Sequence, residues 1–246
     1  MTLYPEVQRK AQDEIDSVVG NSRLPDYSDQ DTLPYIQAVL KEVLRWHPVT
    51  PLSMFLVFVA PLTHTEQDCT YCTGVFHKAI KSDVYEGHFI PAGSIVIPNV
   101  WYALPLMCII RSVVSTMPPR GMLHDPNIFT EPDRFHPERW FSPNVPAFPI
   151  QAFGFGARLC PGRVFACRSI WANIAGILAA FEIVPTEDGP PEKKYFSGMV
   201  SCVVLELWNR TRANPMTGRY PKPFRCYIRP RSEAAASLVR DTENEI

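Results

Sequence analysis

Residues 153–162 read Phe-Gly-Phe-Gly-Ala-Arg-Leu-Cys-Pro-Gly, a glycine-rich loop that delivers Cys160 to the start of a long apolar run. A helix N-terminus carries partial positive charge and free N–H groups, and both favour a thiolate over a thiol. A thiolate so placed is a candidate metal ligand or nucleophile. Gly156 and Gly162 permit left-handed backbone and close approach to a flat ligand. Arg158, two residues before the cysteine, offers a planar fork of donors suited to a carboxylate on that ligand. A cysteine beside a helix is by itself usually an inert buried side chain, so the weight rests on the surrounding pattern.

The elements that must carry this loop can be read on either side of it. The run from Val164 to Phe181 is apolar almost all round, which predicts a helix buried in the core of a larger fold. Upstream, Val7, Ala11, Ile15, Val18 and Val19 mark one face of a helix from Pro5 to Val19, with Gly20 beyond its end. A second helix is predicted from about Leu33 to Trp46, with Thr32 as N-cap and Ile36, Val39, Leu40, Val43 and Leu44 as its apolar stripe. On the side away from that stripe, Glu42 and Arg45 are spaced i, i+3. Taken alone they read as a surface ion pair contributing ~0.3 kcal/mol. Between Asp83 and Trp101, β-branched and aromatic residues alternate with turn residues, as in a hairpin. The tail from Phe224 to Pro230 predicts one short strand with a loop beyond it.

Composition narrows the function. Among 246 residues, 24 Lys and Arg against 25 Asp and Glu give a net charge of -1, which excludes the electrostatic footprint of a nucleic-acid binder. Seven scattered cysteines do not suit a secreted disulfide framework and read as reduced. The N-terminal MTLYPEVQRK lacks a secretory pattern, and the apolar run Met54–Ala60 falls far short of the ~20 residues that span a bilayer. These features point to a soluble or peripheral chain. Cys69 and Cys72 form a C-x-x-C without a second pair at zinc spacing. His124-Asp125-Pro126 reads as a turn, and Asn209 opens a glycosylation sequon without a signal peptide to deliver it.

Phe153, Gly156, Arg158, Cys160 and Gly162 fulfil F-x-x-G-x-R-x-C-x-G, and the loop thereby resembles the haem-binding signature of the cytochrome P450 superfamily. Five positions at ~5% each match by chance on the order of once in a million starts. The resemblance implies that Cys160 is the proximal thiolate ligand of haem iron (iron protoporphyrin IX), that Arg158 pairs with a propionate and that Phe153 packs near the sulfur. His77 stands where the family often has another propionate donor. Residues 135–140, Phe-His-Pro-Glu-Arg-Trp, are similar to the family's P-E-R-F segment, whose arginine joins the E-x-x-R pair in a buried triad; here that implies Glu42, Arg45 and Arg139. The two amino-terminal helices and the hairpin stretch also look like the microsomal branch of filamentous fungi.

The expected fold is therefore an α-rich α+β arrangement, the carboxyl-terminal half of the P450 fold with a small β region. The implied reaction is insertion of one oxygen atom from O2 into an apolar small molecule, with electrons from an NADPH-dependent flavoprotein reductase, in a family usually held at the endoplasmic reticulum membrane. The resemblance does not extend to an anchor or to the distal helix that delivers protons to oxygen. The chain, read as a single truncated domain over 1–246, is accordingly expected to be inactive alone. An inert fragment or pseudoenzyme, and a haem-free scaffold, stand as alternatives. Three stretches break the family pattern, residues 53–73, 102–120 and 201–218, and removing each rejoins it smoothly. They read as translated introns or errors in the gene's reading, and extruded or poorly packed loops are expected there.

Overall fold

A computed structural model describes residues 1–48, 77–96, 121–191, 195–196, 220–221 and 223–243. The stretches 53–73, 102–120 and 201–218 lie outside the described residues, and Cys69, Cys72 and Asn209 with them.

Pro5 at the first helical position opens α1 (Pro5–Val18), and Val7, Ala11 and Ile15, one turn apart, turn one buried face inward. Gly20, at φ 76°, takes the chain out of the helix. A 3-10 turn over Tyr27–Thr32 follows, opened by a capping box between Asp26 and Asp29. Helix α2 spans Pro34–Trp46, with Leu33 rather than Thr32 at its N-cap. Pro34 sets the start, and the missing side-chain cap is supplied from α1: the Glu14 carboxylate accepts from the Tyr35 and Ile36 N–H groups at 2.8 and 3.0 Å.

Among the described residues the β region consists of four two-stranded antiparallel ladders. Strand β1 (His77–Lys78) pairs with β4 (Ile95–Val96). Between them β2 (Asp83–Tyr85) and β3 (His88–Ile90) form the predicted hairpin, closed by Glu86 and Gly87 at φ 48° and 80°, the paired left-handed residues of a type I′ turn. Helix α3 (Arg163–Ala180) runs directly into β5 (Phe181–Pro185), which pairs with β8 (Cys226–Pro230), while β6 (Tyr195–Phe196) pairs with β7 (Tyr220–Pro221). The tail then forms a further helix, α4 (Glu233–Glu243), where a loop was expected. The Ser232 hydroxyl caps it by accepting from the Ala235 N–H at 3.1 Å, ahead of a run of three alanines.

The core lies between α1, α2 and α3 and is built from Val7, Ile15, Leu33, Ile36, Val39, Trp171, Ala175 and Leu178, with Phe135 at its margin. Two glutamines tie α1 to the end of α3. Gln12 donates to the Leu178 and Phe181 carbonyls at 3.3 and 3.1 Å, filling acceptors that the helix end leaves open. Gln8 pairs with the Ile183 peptide in both directions, at 3.2 and 3.0 Å, as a neighbouring strand would.

Two expectations about burial are corrected. Helix α3 is not enclosed: Trp171, Ala175, Leu178 and Ala180 are buried, but Val164 and Phe165 stand 56% and 79% exposed, because α1 and α2 cover one side of it. In α2, Val43 lies at the surface, whereas Glu42 and Arg45, on the polar side, are fully buried. Residues 121–141 pack over that polar side and enclose it.

Candidate functional site

The cysteine loop begins with a 3-10 turn over Ile150–Phe153 and reverses at Gly154, whose φ 93°, ψ -158° is open to glycine alone. Phe155 is extended, and a second 3-10 turn starts at Gly156, at φ 54°. The Cys160 N–H then returns to the Phe153 carbonyl at 2.9 Å, and the Cys160 carbonyl accepts from Arg163 N–H at 3.3 Å at the mouth of α3. The backbone thus folds beneath the cysteine and leaves its thiol exposed.

Glycine usage differs from the sequence reading in one respect. Gly162 sits at φ -82°, ordinary for any residue, and the second left-handed position is Gly154, which the sequence reading did not single out. A Cβ on Gly162 would lie 3.8 Å from the Cys160 sulfur, an ordinary van der Waals contact.

Phe153 is partly buried against the core and stacks on Phe148, with ring centroids 6.1 Å apart. His77, on β1, meets Phe155 edge-on at 6.5 Å, which brings the first ladder alongside the loop. The backbone of Arg158 ends the second 3-10 turn, two residues before the cysteine. Among the described residues, no three His, Cys, Asp or Glu side chains gather to hold a bare metal ion. Cys160 is a single exposed sulfur just before α3, whose first turn also leaves Val164 and Phe165 exposed.

The second constellation is assembled in full. Glu42 and Arg45 form a two-pronged pair at 2.9 and 2.8 Å, and the Arg139 Nε reaches the same carboxylate at 3.2 Å. The His136 N–H at 3.0 Å and the Trp140 indole at 3.0 Å complete five donors on Glu42. Two guanidiniums against one carboxylate leave a surplus positive charge in a dry site. Backbone carbonyls spread it: Leu123 accepts from Arg45 at 2.8 Å, Thr130 from Arg139 at 2.6 Å, and Arg134 from both. Burial pulls the Arg139 guanidinium below its ordinary value, Glu42 pulls it back, and it stays a cation. Spacing alone read Glu42 and Arg45 as a surface pair, and the contributions of His136, Trp140 and the carbonyls carry no sequence signal of their own.

The same 3-10 turn, Pro137–Phe141, is held on its outer side by Glu138, which pairs with Lys10 of α1 and accepts from the Tyr35 hydroxyl at 3.0 Å. Burial, and then Glu138, push the Tyr35 hydroxyl above its usual range, so it remains a donor. His124-Asp125-Pro126 forms a turn, with the Asp125 carboxylate accepting from the Asn127 N–H at 2.9 Å.

A sequence profile of the family described as Cytochrome P450 matches residues 1–59 and 113–206. The chain belongs to the cytochrome P450 family. Curated P450 relatives include a cytochrome P450 monooxygenase of Armillaria gallica, 36% identical over 241 residues, covering 97% of this chain and 37% of the relative. Cytochrome P450 monooxygenase claR of Ampulloclitocybe clavipes is 37% identical over 249 residues, covering 98% and 36%. The chain therefore spans little more than a third of the length of these relatives. A zebra fish cytochrome P450 solved with abiraterone superposes with a TM-score of 0.62 at 24% identity, over 94% of this chain and 42% of that one. A second zebra fish P450 structure, with progesterone, gives 0.60 at 23% identity, over 94% and 39%. The fold is that of part of a P450, helix-rich with small sheets, and among its described residues no helix is long and apolar enough to cross a membrane.

Proposed function

We propose that this chain is the haem-thiolate portion of a P450 monooxygenase, with the Cys160 thiolate as the one protein ligand to the iron. The exposed Cys160 thiol on a loop carrying all five signature residues is the observation that supports this reading. Arg158 and His77 would pair with the propionates, Phe153 would pack near the sulfur, and Gly156 and Gly162 would let the backbone approach the porphyrin closely. When bound, the iron porphyrin supplies oxygen activation, to which thiolate donation contributes by favouring O–O cleavage. What the chain's own residues do is hold and orient: the loop fixes the sulfur over the start of α3, and the Glu42, Arg45 and Arg139 network holds the turn from which the loop departs. Substrate oxidation, an apolar substrate and electrons from an NADPH-dependent flavoprotein reductase belong to this proposal for the longer protein. On its own the chain is expected not to turn over.

Reconstituting the chain with haem and recording the reduced carbon monoxide spectrum of wild type and Cys160→Ser tests the ligand. The thiolate-type Soret band should be present in the first and lost in the second, and its retention in Cys160→Ser would overturn the assignment. Residues 53–73, 102–120 and 201–218 are proposed as segments foreign to the family. The profile match breaks between residues 59 and 113, across parts of the first two and also across residues 74–101, and it continues through residues 201–206 of the third. Sequencing the transcript across all three is the test, and finding all three in every message, with no spliced form that lacks them, would count against an intron origin.

A further inference from the structure

We propose that Trp171 and Tyr27 form a relay that carries an oxidising equivalent out of the core to the surface, with the haem group of the proposed function as its oxidant; the inference rests on that reading of Cys160. Among the described residues Trp171 is the largest of the fully buried side chains, and its indole N–H has no hydrogen-bond partner. Trp46 and Trp140, the other described tryptophans, donate theirs to the Asp133 carbonyl and the Glu42 carboxylate at 2.9 and 3.0 Å. An unpaired buried donor is destabilising, and packing alone would be served as well by an aromatic ring without one. Against the indole lies Tyr27, with ring centroids 6.2 Å apart and planes 31° from parallel. Tyr27 is 56% exposed, so the pair runs from the dry core to water.

Both ends of the pair are fixed. Trp171 stands on α3, which begins at Arg163 just beyond the cysteine, so at ~1.5 Å per residue it lies ~12 Å along the axis from the helix start. Phe153 of the cysteine loop packs against the core cluster to which Trp171 belongs. At the outer end the capping box of Asp26 and Asp29 sets the 3-10 turn that Tyr27 opens, and Arg23 holds both oxygens of Asp29. The electrons balance in three steps. The oxidant takes one electron from Trp171, whose ring stays a radical cation because its N–H has no acceptor to take the proton; that cation is a stronger oxidant than the deprotonated radical and passes the charge on. Tyr27 then returns one electron to Trp171 and releases its phenolic proton to water. A small thiol gives a hydrogen atom back to Tyr27, and two thiols so used couple as a disulfide. For a haem group oxidised by hydrogen peroxide, one peroxide and two thiols become two waters and one disulfide.

Tyr27→Phe keeps the ring and removes only the hydroxyl. In the haem-free full chain, a laser flash that photoionises tryptophan should be followed by conversion of tryptophan radical into tyrosyl radical, read by transient absorption. Tyr4 and Trp46, 5.7 Å apart, are a second pair able to do this, so the comparison is made in the Tyr4→Phe background. Tyrosyl radical should still form there, and adding Tyr27→Phe should abolish most of it. In the haem-reconstituted chain treated with hydrogen peroxide, electron paramagnetic resonance should show a tyrosyl signal that a small thiol quenches and Tyr27→Phe loses, and peptide mass spectrometry of Tyr27→Phe should find Trp171 hydroxylated instead. Tyrosyl radical undiminished by Tyr27→Phe in the flash experiment would overturn the inference, as would a peroxide-treated haem chain that leaves both Tyr27 and Trp171 unoxidised. Absence of the thiolate-type carbon monoxide band in wild type would defeat the haem reading instead, and the flash experiment would still decide the relay.

Discussion

The Cys160 N–H and the Phe153 carbonyl, 2.9 Å apart, close the cysteine loop into a ring of backbone whose reversal falls on Gly154. At φ 93°, ψ -158° a side chain is strained whatever room surrounds it. Gly154→Ala should cost ~1–3 kcal/mol and open this hydrogen bond. Thermal unfolding together with exchange of the Cys160 amide checks it, and Gly162→Ala, at an ordinary φ, should leave both unchanged.

Glu42→Gln removes the anion shared by two buried guanidiniums and should destabilise the chain by ~3–5 kcal/mol, measured by urea unfolding. A loss below ~1 kcal/mol is what a solvated pair would give. Arg139→Lys should not rescue function of the network, because one ammonium cannot serve Glu42 and the carbonyls of Thr130, Glu131 and Arg134 in the plane they occupy.

Gln8→Ala strips the Ile183 peptide of both partners and should cost ~1–3 kcal/mol. Gln8→Glu retains the acceptor and loses the donor, so it should fall between wild type and Gln8→Ala in denaturant midpoint. It should also recover stability at acid pH, where a protonated carboxyl can donate.

Acid stability should depend on Asp29. Hydrogen bonds from Arg23 at 2.7 Å on each oxygen, and one from the Asp26 N–H, hold its carboxyl at about 2, below the usual aspartate range. A carboxyl depressed in the folded state contributes its full stabilisation above its ordinary pKa of ~3.9 and loses it as the pH falls towards 2. Wild type should therefore lose stability between pH 4 and pH 2 more steeply than Asp29→Asn. Arg23 is half exposed, so added salt should shrink the difference.

Much of this architecture is legible in residue types. Proline and glycine punctuation with one-turn apolar spacing marks α1 and α2, and the Glu-Gly turn marks the hairpin. What periodicity does not reveal is which neighbours arrive. Glu42 and Arg45 sit on a polar stripe and become buried because a segment some ninety residues away covers them. Val164 and Phe165 sit in a wholly apolar run and remain exposed because nothing among the described residues packs over them. Helix α4 was readable, since Ser232 before Glu-Ala-Ala-Ala is a cap followed by strong helix formers. Gly154 was not readable, because a glycine's type says what backbone it can adopt and not which of several glycines adopts it.

Helix α1 is clasped in several places, and the clasps differ in the length of chain they enclose. Glu14 reaches Tyr35 across 21 residues, whereas Gln8 reaches Ile183 across 175 and Asp16 reaches Arg231 across 215. A tenfold longer loop adds about 2 kcal/mol of closure entropy, so the near clasp can form early and the distant ones only after most of the chain has condensed. The pairing of α1 with α2 is thus suited to the folding nucleus, and the strand and arginine contacts to its final steps. Loss of the Glu14 cap should slow refolding, while loss of the Asp16 to Arg231 pair should leave refolding almost untouched and hasten unfolding. One short helix then sets both how quickly the protein is made and how long it lasts.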